Sequence, residues 1–154
     1  MRAKLISTFV VCFMAASVCF ASSDAQLGTW KLNPAKSKID EGIPKNDTVT
    51  YAAAGDSVKV SIEGTAVYGT PTHSEWTGKF DGKDYPVTGS PTEETRSYKK
   101  IDDHTLQFAS KRNGTVVLTG RIVVSANGKT RTVTATATGP QGKKLTGTAV
   151  YDKQ

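Results

Sequence analysis

The chain has no cysteine beyond residue 19 and no methionine beyond residue 14, since its only examples are Cys12, Cys19, Met1 and Met14. All four lie in the N-terminal segment, so the rest of the chain has no disulfide and no cysteine that could bind a metal. A domain without disulfides must be stabilised by its own core. Residues 26–154 number 129, which is long enough for one hydrophobic core, and we expect one domain.

Charge is missing from residues 5–20, a run of sixteen. Arg2 and Lys4 precede this run, and small residues follow it, with Ala21 or Ala25 positioned before a cleavage. This pattern predicts a secretory signal peptide over residues 1–25, cleaved after Ala21 or Ala25. Sixteen residues are fewer than the roughly 20 that a spanning helix needs. We therefore expect an exported protein, periplasmic or secreted, with no stable membrane insertion after cleavage.

Strong charge of one sign is also missing. After residue 25 there are 18 basic and 13 acidic residues, a net charge of +5. The lysines are scattered, and their densest pairs are Lys99-Lys100 and Lys143-Lys144. This distribution is typical of a solvated surface, and we expect no nucleic-acid partner.

Catalytic and metal-binding patterns are scarce. There is no Gly-x-Ser-x-Gly turn for a nucleophilic serine. His73 and His104 lie in polar or turn contexts, without further ligands at metal-binding spacing, and we expect both to be exposed. Glu93 and Glu94 are adjacent, and strand neighbours point to opposite faces. The sequence predicts no enzyme, no metal and no cofactor.

What the sequence does contain is typical of strands. After residue 25 there are 20 Thr and 11 Val, against five Leu and five Ile. Threonine and valine suit the half-buried surface of a sheet and lose side-chain freedom in helices. The composition therefore predicts an all-β fold.

Turn pairs such as Asn113-Gly114 and Asn127-Gly128 divide the chain into about ten strands joined by hairpins. Residues 34–45 have no sustained helical period and predict a surface loop. Because neighbours pair locally and no long crossover is visible, we expect a single antiparallel up-and-down β-barrel of about 8–10 strands rather than a sandwich. The expected strands cover residues 27–33, 47–53, 58–65, 72–80, 83–88, 93–101, 105–111, 115–125, 130–138 and 144–152.

Apolar and polar residues alternate within these strands. Val58, Val60 and Ile62 share one face of their strand, and smaller residues such as Ala135 and Ala137 take the same face later in the chain. Because this inward face is low in volume, we expect a cavity of some hundreds of cubic ångströms, open at one end.

The segment Gly28-Thr29-Trp30-Lys31-Leu32 resembles the first strand of the calycins, the lipocalins and fatty-acid-binding proteins, which begins with Gly-x-Trp. The last strand is similar to that of fatty-acid-binding proteins, and Tyr151 matches a residue that holds the ligand's carboxylate there. Ala149 replaces the arginine of that pattern, so this mode of fatty-acid binding is not supported. The resemblance therefore implies a lipocalin-like barrel without a lid, as in small secreted bacterial proteins of this plan.

The resemblance also implies that Gly28 and Trp30 are structural, with the tryptophan closing one end of the barrel under a cation from Arg121 or Lys153. Arg96 and Arg131 lie in phase with inward residues. Either could face an anionic group, but burying an unpaired arginine is costly, and an outward position is favoured. The candidate ligand-binding residues are the inward aromatic residues and one arginine: Tyr51, Trp76, Phe80, Arg96, Tyr98, Phe108 and Tyr151.

Two functions stay open. The first is non-enzymatic binding of a small hydrophobic or amphipathic molecule inside the barrel, with the aromatic rings as walls. The second is a structural or interaction module of the cell envelope, in which the same rings fill the interior and the outer surface binds a protein partner. The volume and polarity of the interior distinguish the two.

Overall fold

The computed structural model describes residues 24–66 and 68–154, and the expected signal peptide lies outside them except for residues 24 and 25. Within the described residues there is no helix that is long and apolar enough to cross a membrane. The strands are β1 (Gly28–Leu32), β2 (Lys38–Ile39), β3 (Lys45–Ala54), β4 (Ser57–Thr65), β5 (Pro71–Gly78), β6 (Asp81–Thr88), β7 (Thr95–Lys100), β8 (Thr105–Arg112), β9 (Thr115–Val124), β10 (Thr130–Thr138) and β11 (Lys144–Lys153).

The sheet closes on itself. From β3 to β11 each strand pairs antiparallel with the next, and β1 pairs with both β3 and β11. At the closure, Trp30 of β1 lies opposite Val49 of β3 and Lys153 of β11. The fold is therefore an all-β, closed, up-and-down antiparallel barrel. Closure removes the free edges that an open sheet would expose.

The first strand is interrupted, which the sequence did not predict. After β1 the chain forms a short 3-10 turn at Pro34–Lys36 and returns to β11 as β2, where Ile39 lies opposite Gly147. Proline cannot donate to the ladder and breaks it at this point. Because β1 and β2 share one side of β11, the barrel has ten positions around its circumference. The expectation of a plain loop over residues 34–45 was wrong for β2.

The ten expected strands all form, with small changes at their ends, and the alternation of faces is confirmed. Val60 and Ile62 are buried, while Val58 at the end of β4 is half-buried. Among the described residues, the core cluster has thirteen buried side chains: Trp30, Val49, Tyr51, Val60, Ile62, Trp76, Tyr98, Leu106, Phe108, Ile122, Val124, Ala149 and Tyr151.

Candidate functional site

A cavity of about 70 Å³ lies inside the barrel. Its outer end lies beside the segment between β2 and β3, where the lining residues Ile39, Ile43 and Pro44 are half-buried. The expected volume of some hundreds of cubic ångströms was wrong, because aromatic rings and two arginines occupy most of the interior. The buried wall is formed by Val49, Tyr51, Ile62, Arg96, Tyr98, Phe108, Ile122, Arg131, Ala149 and Tyr151.

Five polar side chains, four of which line this cavity, form a hydrogen-bonded row, here called the polar row: Arg131, Tyr51, Tyr98, Arg96 and, outside the cavity lining, Glu93. Arg131 Nη2 donates to the Tyr51 hydroxyl at 3.0 Å, and that hydroxyl lies 3.3 Å from the hydroxyl of Tyr98. Arg96 Nη1 donates to the Tyr98 hydroxyl at 2.9 Å. These residues come from three strands, β3, β7 and β10, and from the segment before β7. The polar row therefore joins opposite sides of the barrel.

Arg96 is paired although it is buried. Its Nε donates to Glu93 Oε2 at 3.0 Å and to the Ser110 hydroxyl at 3.2 Å, and its Nη2 forms an ion pair with Glu93. Burial lowers the pKa of Arg96, but its interactions with Tyr98 and Glu93 outweigh burial and hold the pKa above its ordinary value. Because Glu93 is also buried, the pair contributes no net charge to the interior.

Arg131 is buried to a similar degree without such a pair. It is 3% exposed, and its Nε and Nη1 have no hydrogen-bond partner among the residues that the structure describes. Its guanidinium carbon lies 4.6 Å from the ring centre of Tyr51 and 5.5 Å from that of Tyr151. A cation over an aromatic ring gains about 0.5–2 kcal/mol, whereas burying an unpaired charge costs several kcal/mol. The rings therefore compensate for only part of the cost.

The hydroxyls of Tyr51 and Tyr151 are neutral at physiological pH. Burial raises the pKa of Tyr151 to about 12, against the opposing charge of Arg131. Burial raises the pKa of Tyr51 further, and Arg131 again works in the opposite direction. With Arg96 and Glu93 compensating each other, the described part of the interior carries one positive charge in excess, on Arg131.

Trp30 closes the end of the barrel opposite the cavity mouth. Its ring is fully buried, its Nε1 donates to the Gln26 carbonyl at 2.9 Å, and Lys153 Nζ lies 5.0 Å from its centre. Gly28 has a φ of +123°, and a Cβ there would lie 2.7 Å from Lys153 Cε, so this position requires glycine. The structure thus gives Lys153 the place beside Trp30 that the resemblance implied.

Arg121 does not take that place. It lies opposite Thr134 on the outer face of the barrel and is exposed, so the expectation that it covers Trp30 was wrong. Arg131 lies 5.9 Å from the Trp30 ring centre and is the second cation there. The alternation along β10 indicated an inward position for Arg131, because Arg131 and Val133 share a face of the strand.

The outward positions expected for Arg96 and Arg131 were also wrong. Arg96 is tolerated inside because Glu93, which precedes β7, folds back to pair with it. Sequence reasoning missed Glu93 because its contact with Arg96 depends on how the chain bends before β7, and it missed Ser110 because that contact depends on the approach of β8. The phase shared by Arg96 and Tyr98 was the signal that could have found the inward arginine.

The other expected aromatic residues separate into two groups. Tyr51, Tyr98, Phe108 and Tyr151 line the cavity, whereas Trp76 and Phe80 do not. Trp76 stacks on Phe80 with ring centres 6.3 Å apart and meets the edge of Tyr98 at 4.8 Å. These two rings therefore fill the barrel beneath the cavity.

The histidines differ from each other. His73 is exposed as expected, but His104 is half-buried, and its carbonyl accepts a hydrogen bond from Gln26 at 3.1 Å. In the described segments no group of three or more His, Cys, Asp or Glu residues lies close enough to hold a metal ion.

The fold and the site define a closed β-barrel with a small, positively charged internal cavity. The solved structures that resemble it include the following two. One, EF1p2_mFAP2b bound to DFHBI, has 12% identity and a TM-score of 0.49, covering 84% of this chain and 94% of that one. The other, a redesigned beta barrel, mFAP1, bound to DFHBI, has 18% identity and a TM-score of 0.44, covering 81% of this chain and 94% of that one. No family model and no curated protein matches the chain.

Proposed function

We propose that this protein binds a small, partly hydrophobic molecule inside the barrel and is not an enzyme. The observation that supports this most is the cavity, whose apolar wall also carries the polar groups of Tyr51, Tyr98 and Arg131. Binding sites for small molecules combine an apolar wall with a few polar groups that orient the ligand. The Gly-x-Trp strand, which closes the barrel, supports a lipocalin-like relationship as part of the same proposal.

A ligand panel with a cavity-filling variant tests this function. A ligand that binds the folded state raises the melting temperature in proportion to the logarithm of its concentration. We expect short acyl and carboxylate compounds to stabilise the natural chain. Ala149→Leu adds three carbons to the cavity wall and should abolish the effect, and Ala135→Val is a milder second variant. Ala53→Leu, at an exposed position, serves as the control.

The structural module is the second candidate, and the packing of Trp76, Phe80, Tyr98 and Phe108 favours it, because these rings fill much of the interior. If no compound of the panel changes the melting temperature, small-molecule binding is wrong and this candidate replaces it. A pull-down from an envelope extract should then retain a protein. Thr134→Lys, at an exposed position on β10, should weaken its capture if the outer face is the interface.

Export is the third part of the proposal. Cleavage after Ala21 would keep Asp24. The Asp24 carboxylate accepts a hydrogen bond from the backbone N–H of Gln26 at 3.0 Å and lies 3.3 Å from Lys100 Nζ. Cleavage after Ala25 would remove Asp24 and these contacts at the closed end of the barrel. We therefore predict that the exported protein begins at Ser22. The intact mass of the protein from a periplasmic or culture fraction checks this, and a mass that begins at Gln26 would contradict it.

A further inference from the structure

The unpaired arginine inside the barrel identifies a class of ligand. Arg131 is 3% exposed, lines the cavity and uses one of its three nitrogens on Tyr51, while the other two have no partner in the described part of the chain. Guanidinium groups carry five N–H donors and are found buried when a carboxylate or phosphate accepts from them. Arg96 meets this requirement within the protein through Glu93. Arg131 does not, and two of its buried nitrogens lack an acceptor that the described part of the chain could supply.

The charge and the volume of the site limit what that ligand is. Arg96 and Glu93 compensate each other, so a ligand with one negative charge would neutralise Arg131, and a dianion would leave a buried negative charge. A cavity of about 70 Å³ is about half the size of a cavity of roughly 150 Å³ that holds one benzene molecule. This volume excludes a long acyl chain. It fits an anion of about three to five non-hydrogen atoms.

The surroundings of Arg131 favour a carboxylate over an inorganic anion. Arg131 lies opposite Tyr151 across the strands, and both side chains line the cavity. The neighbouring inward residues, Val133 and Ala149, are apolar and lie opposite each other one step further along the same two strands. A short carboxylate would direct its oxygens to the guanidinium and its alkyl group to these residues.

We propose that Arg131 anchors a short aliphatic carboxylate inside the barrel. This inference rests on the proposed function, because it requires a ligand in the cavity. It adds the class of ligand and the group that recognises it. The forked geometry of a guanidinium suits the two oxygens of a carboxylate, and charge-assisted hydrogen bonds of this kind are the stronger class.

Titration of the natural chain with acetate, propionate and butyrate tests the proposal, with acetamide and propionamide as neutral counterparts and constant ionic strength. The readouts are the melting temperature and the Nε–H signals of the arginines in 15N-labelled protein. We expect a carboxylate to shift one arginine Nε–H signal saturably and to raise the melting temperature. The amides should bind at least about tenfold more weakly, because they carry no charge.

Variants assign the signal. Arg131→Met should remove the shifted signal and weaken carboxylate binding at least about tenfold. Arg131→Lys keeps the charge but not the fork, and should restore binding only in part. Arg121→Met removes an exposed arginine from the neighbouring strand and should change neither readout. If Arg131→Met fails to fold, the titration of the natural chain still shows whether a buried arginine responds.

The outcomes that overturn the inference are distinct from those that overturn the proposed function. Saturable binding of amides or other neutral compounds, unchanged in Arg131→Met, would disprove the arginine anchor while supporting a ligand in the cavity. Nitrate or chloride binding as tightly as acetate would assign the site to an inorganic anion instead. If no compound binds and no arginine signal shifts, both the inference and the proposed function are wrong.

Discussion

The two arginines that point into the barrel have different partners for their buried positive charge. Arg96 has a carboxylate partner in Glu93, Ser110 accepts from the same Nε–H, and Tyr98 accepts from Nη1. Arg131 has aromatic rings and one hydroxyl. Replacing a whole buried ion pair by apolar residues is often neutral, whereas removing one partner leaves an unpaired charge. Glu93→Gln should therefore disturb the barrel more than a change at any exposed glutamate.

Burial of Tyr151 makes the folded barrel less stable at alkaline pH than at neutral pH. Its pKa is about 12 in the folded protein, against an ordinary value of 10.0, so the unfolded chain ionises first as pH rises. The contribution of neutral, buried Tyr151 to the free energy of unfolding is fully present below pH 10, and it is lost as the pH rises through 12. Two pKa units correspond to about 3 kcal/mol. We predict that Tyr151→Phe removes about this much of the alkaline loss, measured by urea unfolding at pH 9 and pH 12.

A control for this prediction is Tyr68→Phe, because Tyr68 is 96% exposed and its change should leave the pH dependence of the free energy of unfolding as it is. Phenolate absorbance during an alkaline titration gives a second measurement. Tyr51 and Tyr151 should ionise at a higher pH than tyrosines of the unfolded chain. An unchanged alkaline loss in Tyr151→Phe would contradict the assignment of this loss to burial of the phenol.

At the scale of elements, alternation and turn residues were enough to predict ten strands. They were not enough for β2, where two residues, Lys38 and Ile39, pair with β11. A two-residue strand has no period to detect, and its pairing depends on where Asn33 and Pro34 redirect the chain. Short elements defined by tertiary contact are therefore the ones that local patterns miss.

Strands β9 and β11 provide a matched pair of glycines at one level of the barrel, because Gly120 and Gly147 both lie opposite Ala135 of β10. A Cβ at Gly120 would lie 2.3 Å from the Thr134 carbonyl oxygen and 2.5 Å from the Phe108 ring. We predict that Gly120→Ala costs about 1–3 kcal/mol or more, since overpacking moves backbone as well as side chains. The free energy of unfolding in urea measures this cost.

Gly147→Ala is the control for Gly120→Ala. There the nearest atoms to a Cβ are Ile39 Cγ2 and Ile43 Cδ1, each at 3.5 Å, which is ordinary contact. We expect this variant to stay within about 1 kcal/mol of the natural chain, because alanine loses less backbone freedom than glycine on folding. Equal losses in the two variants would show that the strands, rather than the approach of Phe108 and Thr134, determine the cost.

At the scale of the whole molecule, closure was predictable and the content of the interior was not. Hairpin connectivity leaves β1 and β11 as the two edges, so joining them is the simple way to cover both. The size of the cavity depends instead on how far Arg131, Arg96 and Tyr98 reach across the barrel. Those directions follow from hydrogen bonds between distant strands, which an alternation pattern does not contain. The residues that line the site were therefore largely predictable, but its volume and charge were not.

The barrel is held unevenly around its circumference, and this predicts where it opens. Strands β3 and β4 share nine register pairs, whereas β5 and β6 share two, Glu75 with Thr88 and Trp76 with Val87. Strand β6 also contains Pro86, which donates no hydrogen bond, and its register with β7 shifts between Asp81 and Asp84. Local opening occurs first at the weakest strand pairing, because few hydrogen bonds and contacts are lost there.

We predict that β6 amides exchange with deuterium at least about tenfold faster than those of β3 and β4. Hydrogen exchange followed by mass spectrometry measures this, with the β3–β4 hairpin as the internal standard, and uniform exchange around the barrel would contradict it.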